Sequence, residues 1–144
     1  MNKALLSSAS CEWETPQELF EELDREFHFT LDPCSTDANA KCAKHYTKEQ
    51  DGLAQDWGTE TVWCNPPYGR EIHKWVRKCA LHSIGGGTAV ILIPARTDTS
   101  YFHDYIYGKA EVRFIRGRLR FSGCKDNAPF PSMIVVFKGG TGAQ

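Results

Sequence analysis

The sequence predicts an α/β protein whose sheet is mostly parallel, with antiparallel strands near the C-terminus. Three observations carry that expectation. Thr88 to Ile93 is a continuous apolar run, as a strand covered on both faces of a parallel sheet requires. Segments with helical apolar spacing alternate with short strand-like runs. The strand-like runs end in polar or turn-forming peptides, at the edge where open α/β sheets bind ligands. With 144 residues, 41% hydrophobic and 24% charged, the chain has apolar material for one core. A single domain is expected over residues 13–138, with flexible ends at 1–12 and 139–144. No apolar run reaches membrane-spanning length, and the Ser-rich start has one Lys and no long apolar core. Neither a membrane span nor a signal peptide is therefore expected, and the expected location is cytoplasmic.

Along the chain, Thr15-Pro16 has the form of a helix N-cap followed by Pro at the first helical position. Glu18 completes a capping-box pattern. Leu19, Phe20, Leu23 and Phe27 then recur at helical spacing, predicting a helix from Pro16 to Glu26. Phe29 to Asp32 reads as a strand with an acidic end, and Pro33 to Asp37 as the loop after it. That loop lacks Gly-x-Gly-x-x-Gly, which argues against a dinucleotide. Asn39 to Tyr46 is expected to be a short helix, and Tyr46 to Glu49 a shortened remnant of a second strand. Thr61 to Cys64 is a short β-branched and aromatic run, hence a buried strand. Ile72, Trp75, Val76, Cys79 and Ala80 share one helical face, and Gly85-Gly86-Gly87 ends that helix. Ser100 to Tyr107 is expected to be helical. Glu111 to Ile115, Arg118 to Ser122 and Ser132 to Lys138 are expected to complete the sheet.

Charge divides the chain. Residues 1–60 hold 5 Lys/Arg against 13 Asp/Glu, and residues 61–144 hold 12 against 5. The basic half contains Arg113, Arg116, Arg118, Arg120 and Lys125. Strand alternation would set Arg116, Arg118 and Arg120 on one face, a strip suited to phosphates; a solvated strand face accounts for the same pattern without a ligand. Six cysteines contain no CxxC pair, so free thiols are expected, and five scattered histidines give no metal-ligand spacing.

Asn65-Pro66-Pro67-Tyr68, at the end of the Thr61 run, fits a specific chemical problem. The exocyclic amino group of a base is a poor nucleophile, because its lone pair is delocalised into the ring. An amide oxygen (Asn65) and a carbonyl (Pro66) can each accept one of its N–H bonds and bias the nitrogen toward tetrahedral geometry. Pro67 has no N–H to compete and restricts the backbone of Pro66. Tyr68 offers an aromatic face for a flat ring. Asn and Pro are also ordinary turn residues, and the tetrapeptide alone fits a plain turn.

The whole order of motifs resembles the S-adenosylmethionine-dependent DNA N6-adenine methyltransferases, specifically the small phage-borne Dam-like family. Its elements are Trp13-Glu14-Thr15-Pro16, Leu31-Asp32-Pro33-Cys34, Asp51-Gly52-Leu53, Cys64 to Gly69, Pro94 to Thr99 and Ala128 to Ser132, covering Trp13 to Lys138. The resemblance implies a Rossmann-like methyltransferase fold. It implies that Trp13, Thr15 and Pro16 receive the methionine end of the cofactor, with Asp32, Cys34 and Ser35 as the first cofactor loop. It implies that Asp32 lies near the methionine amino group and that Asp51 accepts from the adenine amino group. Asn65 to Tyr68 match the catalytic motif, acting on a base flipped out of double-stranded DNA. The first loop departs from the usual small or glycine-rich form, and no ribose-binding acid is identifiable. DNA contact is expected from Arg96, Arg116, Arg118, Arg120, Lys125 and Asn127, the last two in a hairpin tip at Ser122 to Asn127. A methyltransferase for an RNA base or a protein glutamine would use the same peptide, and a non-catalytic nucleic-acid-binding module is a further alternative. A monomer is expected, with a dimer as the alternative.

Overall fold

Ala89 to Ile93 have no exposed surface at all, which is what a five-residue apolar run achieves only at the centre of a sheet covered on both faces. The computed structural model describes residues 13–139, so of the two ends expected to be flexible, 1–12 and 140–144 lie outside the described residues. Within that range lie helix α1 (Gln17–Phe27), strand β1 (Thr61–Cys64), helix α2 (Ile72–Ile84) and strands β2 (Thr88–Pro94), β3 (Glu111–Phe114) and β4 (Ser132–Phe137). A short 3-10 turn (Gly52–Ala54) precedes β1 and a π-helical turn (Phe102–Ile106) precedes β3.

The strand order is β1-β2-β4-β3. β1 pairs parallel with β2, in register Cys64 to Ile91. β4 is inserted antiparallel between β2 and β3. β3 therefore points the same way as β1 and β2, but only one of the three strand pairings is parallel. The expected mostly parallel sheet is in fact a mixed one. The antiparallel insertion places the loop from Ile115 to Pro131, and the segment after β2, at the same sheet edge as the end of β1. Ala95 N–H to the Pro131 carbonyl, 2.9 Å, ties the two together.

Alternation along β2 and β4 builds two cores. Ala89, Ile91, Ile93, Met133 and Val135 face α2, where Ile72, Trp75, Val76 and Cys79 meet them. Val90, Leu92, Ile134 and Val136 face α1, with Phe20, Leu23 and Phe121. The two helices thus lie on opposite faces of the sheet, as the period-2 pattern of a doubly covered strand demands.

Several expected elements differ. The strand Phe29 to Asp32 is reduced to two bridging residues, Leu31 beside Val62 and Asp32 beside His45. The expected remnant at Tyr46 to Glu49 is the single bridge at His45, one residue earlier. Asn39 to Tyr46 is not a helix, because its backbone N–H groups have better partners. Lys41 N–H goes to the Asp32 carboxylate at 2.9 Å and Tyr46 N–H to the Asp32 carbonyl at 3.0 Å. Arg118 to Ser122 is not a strand of the sheet. β3 stops at Phe114, Gly117 takes a left-handed φ of 75°, and only Ser122 bridges, to Glu14. The Ser122 to Asn127 segment is a loop closed by Ala128 N–H to the Leu119 carbonyl at 2.7 Å, rather than a hairpin tip. Gly139 donates its N–H to Thr88 Oγ1 at 3.2 Å.

Candidate active site

The Asn65 peptide leaves β1 at the edge where β2 and the β3–β4 loop also end, so its orientation is set by long-range contacts. Asn65 Nδ2 donates to the Trp13 carbonyl at 2.7 Å and to Thr15 Oγ1 at 3.1 Å. Both acceptors fix the amide so that its NH2 end is consumed. Asn65 Oδ1 is then left buried with no partner among the described residues. An amide oxygen without a donor is costly to bury, and such atoms call for an explanation.

The explanation is a cavity of about 500 Å³ lined by Asn65, Pro66 and Pro67. That size lies within the roughly 300–1,000 Å³ of small-molecule and cofactor sites. Trp13, Thr15, Asp32, Cys34, Ser35 and Asp51 line the same cavity. Residues from four separate stretches are therefore brought to one place. Pro16 and Tyr68 do not line it. Pro16 is the N-cap position of α1 and makes no side-chain cap bond. The capping box expected from Thr15 and Glu18 is accordingly not formed. Thr15, only 3% exposed, instead accepts from Asn65 Nδ2 through its hydroxyl oxygen.

Asp32 is the buried acid of the cavity. It is 3% exposed, and burial pushes its carboxyl up to about 6 from an ordinary 3.8. Backbone N–H groups of Cys34 (3.2 Å) and Lys41 (2.9 Å) offset part of that cost. A buried carboxylate held at such a cost gains from a cationic ligand. Burial also raises the Cys34 thiol, to about 12, and Asp32 adds to the effect, so Cys34 is a neutral wall residue. Ser35 Oγ is a second buried atom without a partner on this wall.

The Asp51-Gly52-Leu53 turn also lines the cavity and packs against Pro33. Asp51 adopts a left-handed φ of 57° and its Oδ1 accepts from Leu53 N–H at 3.2 Å, the local bond that lets Asp occupy this region. Gly52 is required: a Cβ there would lie 1.9 Å from the Pro33 carbonyl oxygen. Trp57 Nε1–H donates to the Gly52 carbonyl at 2.9 Å, and Trp57 stacks on Trp75 at 6.4 Å. Trp75 lines the cavity as well as filling the core. The sequence marked it as core alone; nothing in helical spacing distinguishes the two roles. Glu71, Thr47 and Lys48 also line the cavity and carry no sequence signal.

Tyr68 lies beside the cavity. Its hydroxyl donates to the Leu92 carbonyl at 3.3 Å, and burial raises its phenol. Its ring meets Phe121 and Phe130 edge-on at 6.1 and 5.6 Å, and both of these also meet Trp13 at 5.4 Å. This four-ring cluster ties the segment before α1 and the loop before β4 to the Asn65 peptide.

Arg96, Arg116, Arg118, Arg120, Lys125 and Asn127 are all exposed and all sit on loops at this same edge. They do not form a strand face, since the expected strand is absent. Arg120 Nε–H donates to the Cys124 carbonyl at 3.2 Å and so closes the turn that carries Lys125. Arg113 is withdrawn from the group. Its guanidinium grips Glu26 through two 2.7 Å bonds, pairs with Glu111 and covers Phe27. Cys34, Cys42, Cys64 and Cys79 are free thiols, but Cys124 is disulfide-bonded, to a partner outside the described residues. That corrects the expectation of six free thiols. No helix among the described residues is long and apolar enough to cross a membrane.

Comparison with known proteins places this geometry in context. A family model described as DNA N-6-adenine-methyltransferase (Dam) matches residues 3–140. The chain is similar to the DNA N-6-adenine-methyltransferase of Escherichia phage T1, at 30% identity over 109 residues. That match covers 74% of this chain and 45% of the phage protein, so the chain spans less than half the length of that relative. It is also similar to the putative methyltransferase YfdM of Escherichia coli (strain K12). There the identity is 36% over 70 residues, covering 44% of this chain and 77% of that protein.

Proposed function

Because the chain belongs to the DNA N-6-adenine-methyltransferase family, we propose that it transfers a methyl group from S-adenosylmethionine to the N6 amino group of adenine in DNA. The fold this requires is the Rossmann-like methyltransferase fold, with Leu31–Asp32 as a shortened first strand beside β1. The single observation that carries the reading is the buried, partnerless Asn65 Oδ1 at a cavity of cofactor size.

The cavity residues suit this cofactor. Asp32 is a buried carboxylate without a cationic side chain bonded to it, and its bonds come from backbone N–H groups. It would take the ammonium of the methionine moiety. Ser35 Oγ would find a partner in the polar end of the ligand. Trp13 and Thr15 lie on the wall next to Asn65, and Asp51, on the turn beside Pro33, would accept from the cofactor's adenine amino group. When bound, the cofactor supplies a methyl group already activated by its sulfonium, so the chain need not provide a nucleophile of its own.

What the chain provides is alignment and a place for developing charge. The target adenine leaves the helical stack, at a cost of a few kcal/mol. Asn65 Oδ1 accepts one N6 hydrogen and the Pro66 carbonyl accepts the other. Pro67, exposed and without N–H, leaves that carbonyl uncontested. Both acceptors become stronger partners as N6 gains positive charge, which is stabilisation specific to the transition state. The Tyr68 ring, braced by Phe121 and Phe130, would offer an aromatic face to the base. Arg96, Arg116, Arg118 and Lys125 hold phosphates at this edge of the sheet, with Asn127 beside them.

The test is transfer of labelled methyl from S-adenosylmethionine to double-stranded DNA, RNA and protein offered separately. Label in DNA, recovered as N6-methyladenine, is expected. Label in RNA or protein alone would assign the site to another amino group. Cofactor binding without transfer to any substrate would leave only a binding module.

A further inference from the structure

We propose that Thr15 is a positioning residue: the Trp13 carbonyl sets which end of the Asn65 amide faces the cavity, and the Thr15 hydroxyl, accepting the second N–H, holds the amide there, so that the site keeps an acceptor for substrates that present an amino group. The inference rests on the reading of Asn65 given above. The two ends of an Asn amide have nearly the same shape and opposite hydrogen-bonding sense. Only Oδ1 facing the cavity can grip an NH2; with the amide turned over, two donors would confront two donors. Nothing within the Asn65 peptide decides between the two orientations.

The decision is made 50 residues away. The Trp13 carbonyl can only accept, and lies 2.7 Å from Nδ2. Thr15 Oγ1 lies 3.1 Å from the same nitrogen. Together they take both N–H bonds, and a reversed amide would set its oxygen against the Trp13 carbonyl. Thr15 is 3% exposed, so water has little access to replace its hydroxyl.

The fork is itself held. Ser122 Oγ donates to the Thr15 carbonyl at 3.3 Å, and Ser122 N–H donates to the Glu14 carbonyl at 2.9 Å. The hydroxyl of Thr15 is not consumed as a helix cap, since α1 begins at Pro16 without a side-chain cap bond. A residue that merely lines the cofactor cavity would need neither this bond nor this bracing.

Thr15→Val keeps the shape and removes the acceptor. Thr15→Ala is measured in parallel, in case the extra methyl hinders folding, and Thr15→Ser restores the hydroxyl. The first readout needs no activity: hydrogen exchange of the Asn65 side-chain NH2, whose signal is identified by its loss in Asn65→Ala. Exchange should accelerate about tenfold in Thr15→Val, since one hydrogen bond is lost. The second is kinetic. kcat should fall about a hundredfold while cofactor Kd by calorimetry changes less than about twofold, and Thr15→Ser should recover most of the rate. Unchanged exchange in both Thr15→Val and Thr15→Ala overturns the proposal. So does a loss of cofactor affinity in step with kcat that Thr15→Ser does not repair. If the wild-type protein methylates nothing, the reading of Asn65 fails, while the exchange measurement still decides whether Thr15 fixes the amide.

Discussion

Lowering the pH should weaken cofactor binding through one group, Asp32, and should do so with a measurable proton count. Its carboxyl is raised from 3.8 to about 6, chiefly by burial, with the N–H bonds from Lys41 and Cys34 opposing. That gap corresponds to about 3 kcal/mol, at roughly 1.4 kcal/mol per pH unit, by which burial disfavours the charged form. The sign for folding follows directly. Between about pH 4 and 6 the folded chain holds a proton that the unfolded chain has released, so this group's contribution to stability falls as pH rises and is constant above 6. The sign for binding is the reverse, because an ammonium needs the carboxylate. Affinity should be flat above about pH 6.5 and fall up to about tenfold per pH unit well below 6. At pH 5.5 much of the Asp32 population is protonated, so each binding event should release a substantial fraction of a proton from this group, and far less at pH 7.5. Calorimetry of S-adenosylmethionine binding in two buffers of different ionisation enthalpy reads this number directly. Asp32→Asn should abolish the release. Zero proton release at pH 5.5, or equal release from Asp32→Asn, would refute the assignment of Asp32 to a cationic ligand group.

Gly52→Ala should lower stability by at least about 2 kcal/mol, because its Cβ would meet the Pro33 carbonyl at 1.9 Å and the backbone must move. Since Pro33 and Asp51 both line the cavity, cofactor affinity should drop with it; a variant of wild-type Tm and Kd would show that the two loops separate freely. Arg116→Glu with Arg118→Glu should weaken DNA binding uniformly across sequences and flatten its salt dependence, with no change in Tm, as both side chains are exposed. An unchanged salt slope would remove them from the footprint. Arg120→Glu should in addition lower Tm, because Arg120 closes the turn through the Cys124 carbonyl.

The parts of this site that were legible are those whose chemistry is local. The Asn65 to Pro67 stretch was expected at the end of a short strand and lines the cavity there, because a strand followed by a turn is read from neighbouring residues. β2 was legible because five apolar residues in a row, Ala89 to Ile93, suit a strand covered on both faces. Thr15 was misread because Thr-Pro-x-Glu is a sound capping pattern by itself, and the competing partner lies 50 positions along the chain. Asn39 to Tyr46 has acceptable helix composition, but Asp32 draws its N–H groups away. The arginine strip failed as a strand because one glycine in a left-handed conformation ends the extended backbone between Phe114 and Arg118. The arginines nonetheless lie at the sheet edge where β1 ends, since that depends on the order of strands and not on their exact ends. The roles of Phe121 and Phe130 were hidden for the same reason as that of Thr15: a ring cluster assembled from three distant segments leaves no spacing to read.

The central claim is that the Asn65 amide oxygen grips an adenine amino group. Its most direct test is the nucleoside composition, by mass spectrometry, of DNA from cells expressing the wild-type chain or Asn65→Ala, with cofactor Kd of both proteins measured beside it. The account predicts N6-methyldeoxyadenosine from the wild type and none from Asn65→Ala, with cofactor Kd nearly equal in the two. Methyldeoxyadenosine persisting in the Asn65→Ala sample would contradict it.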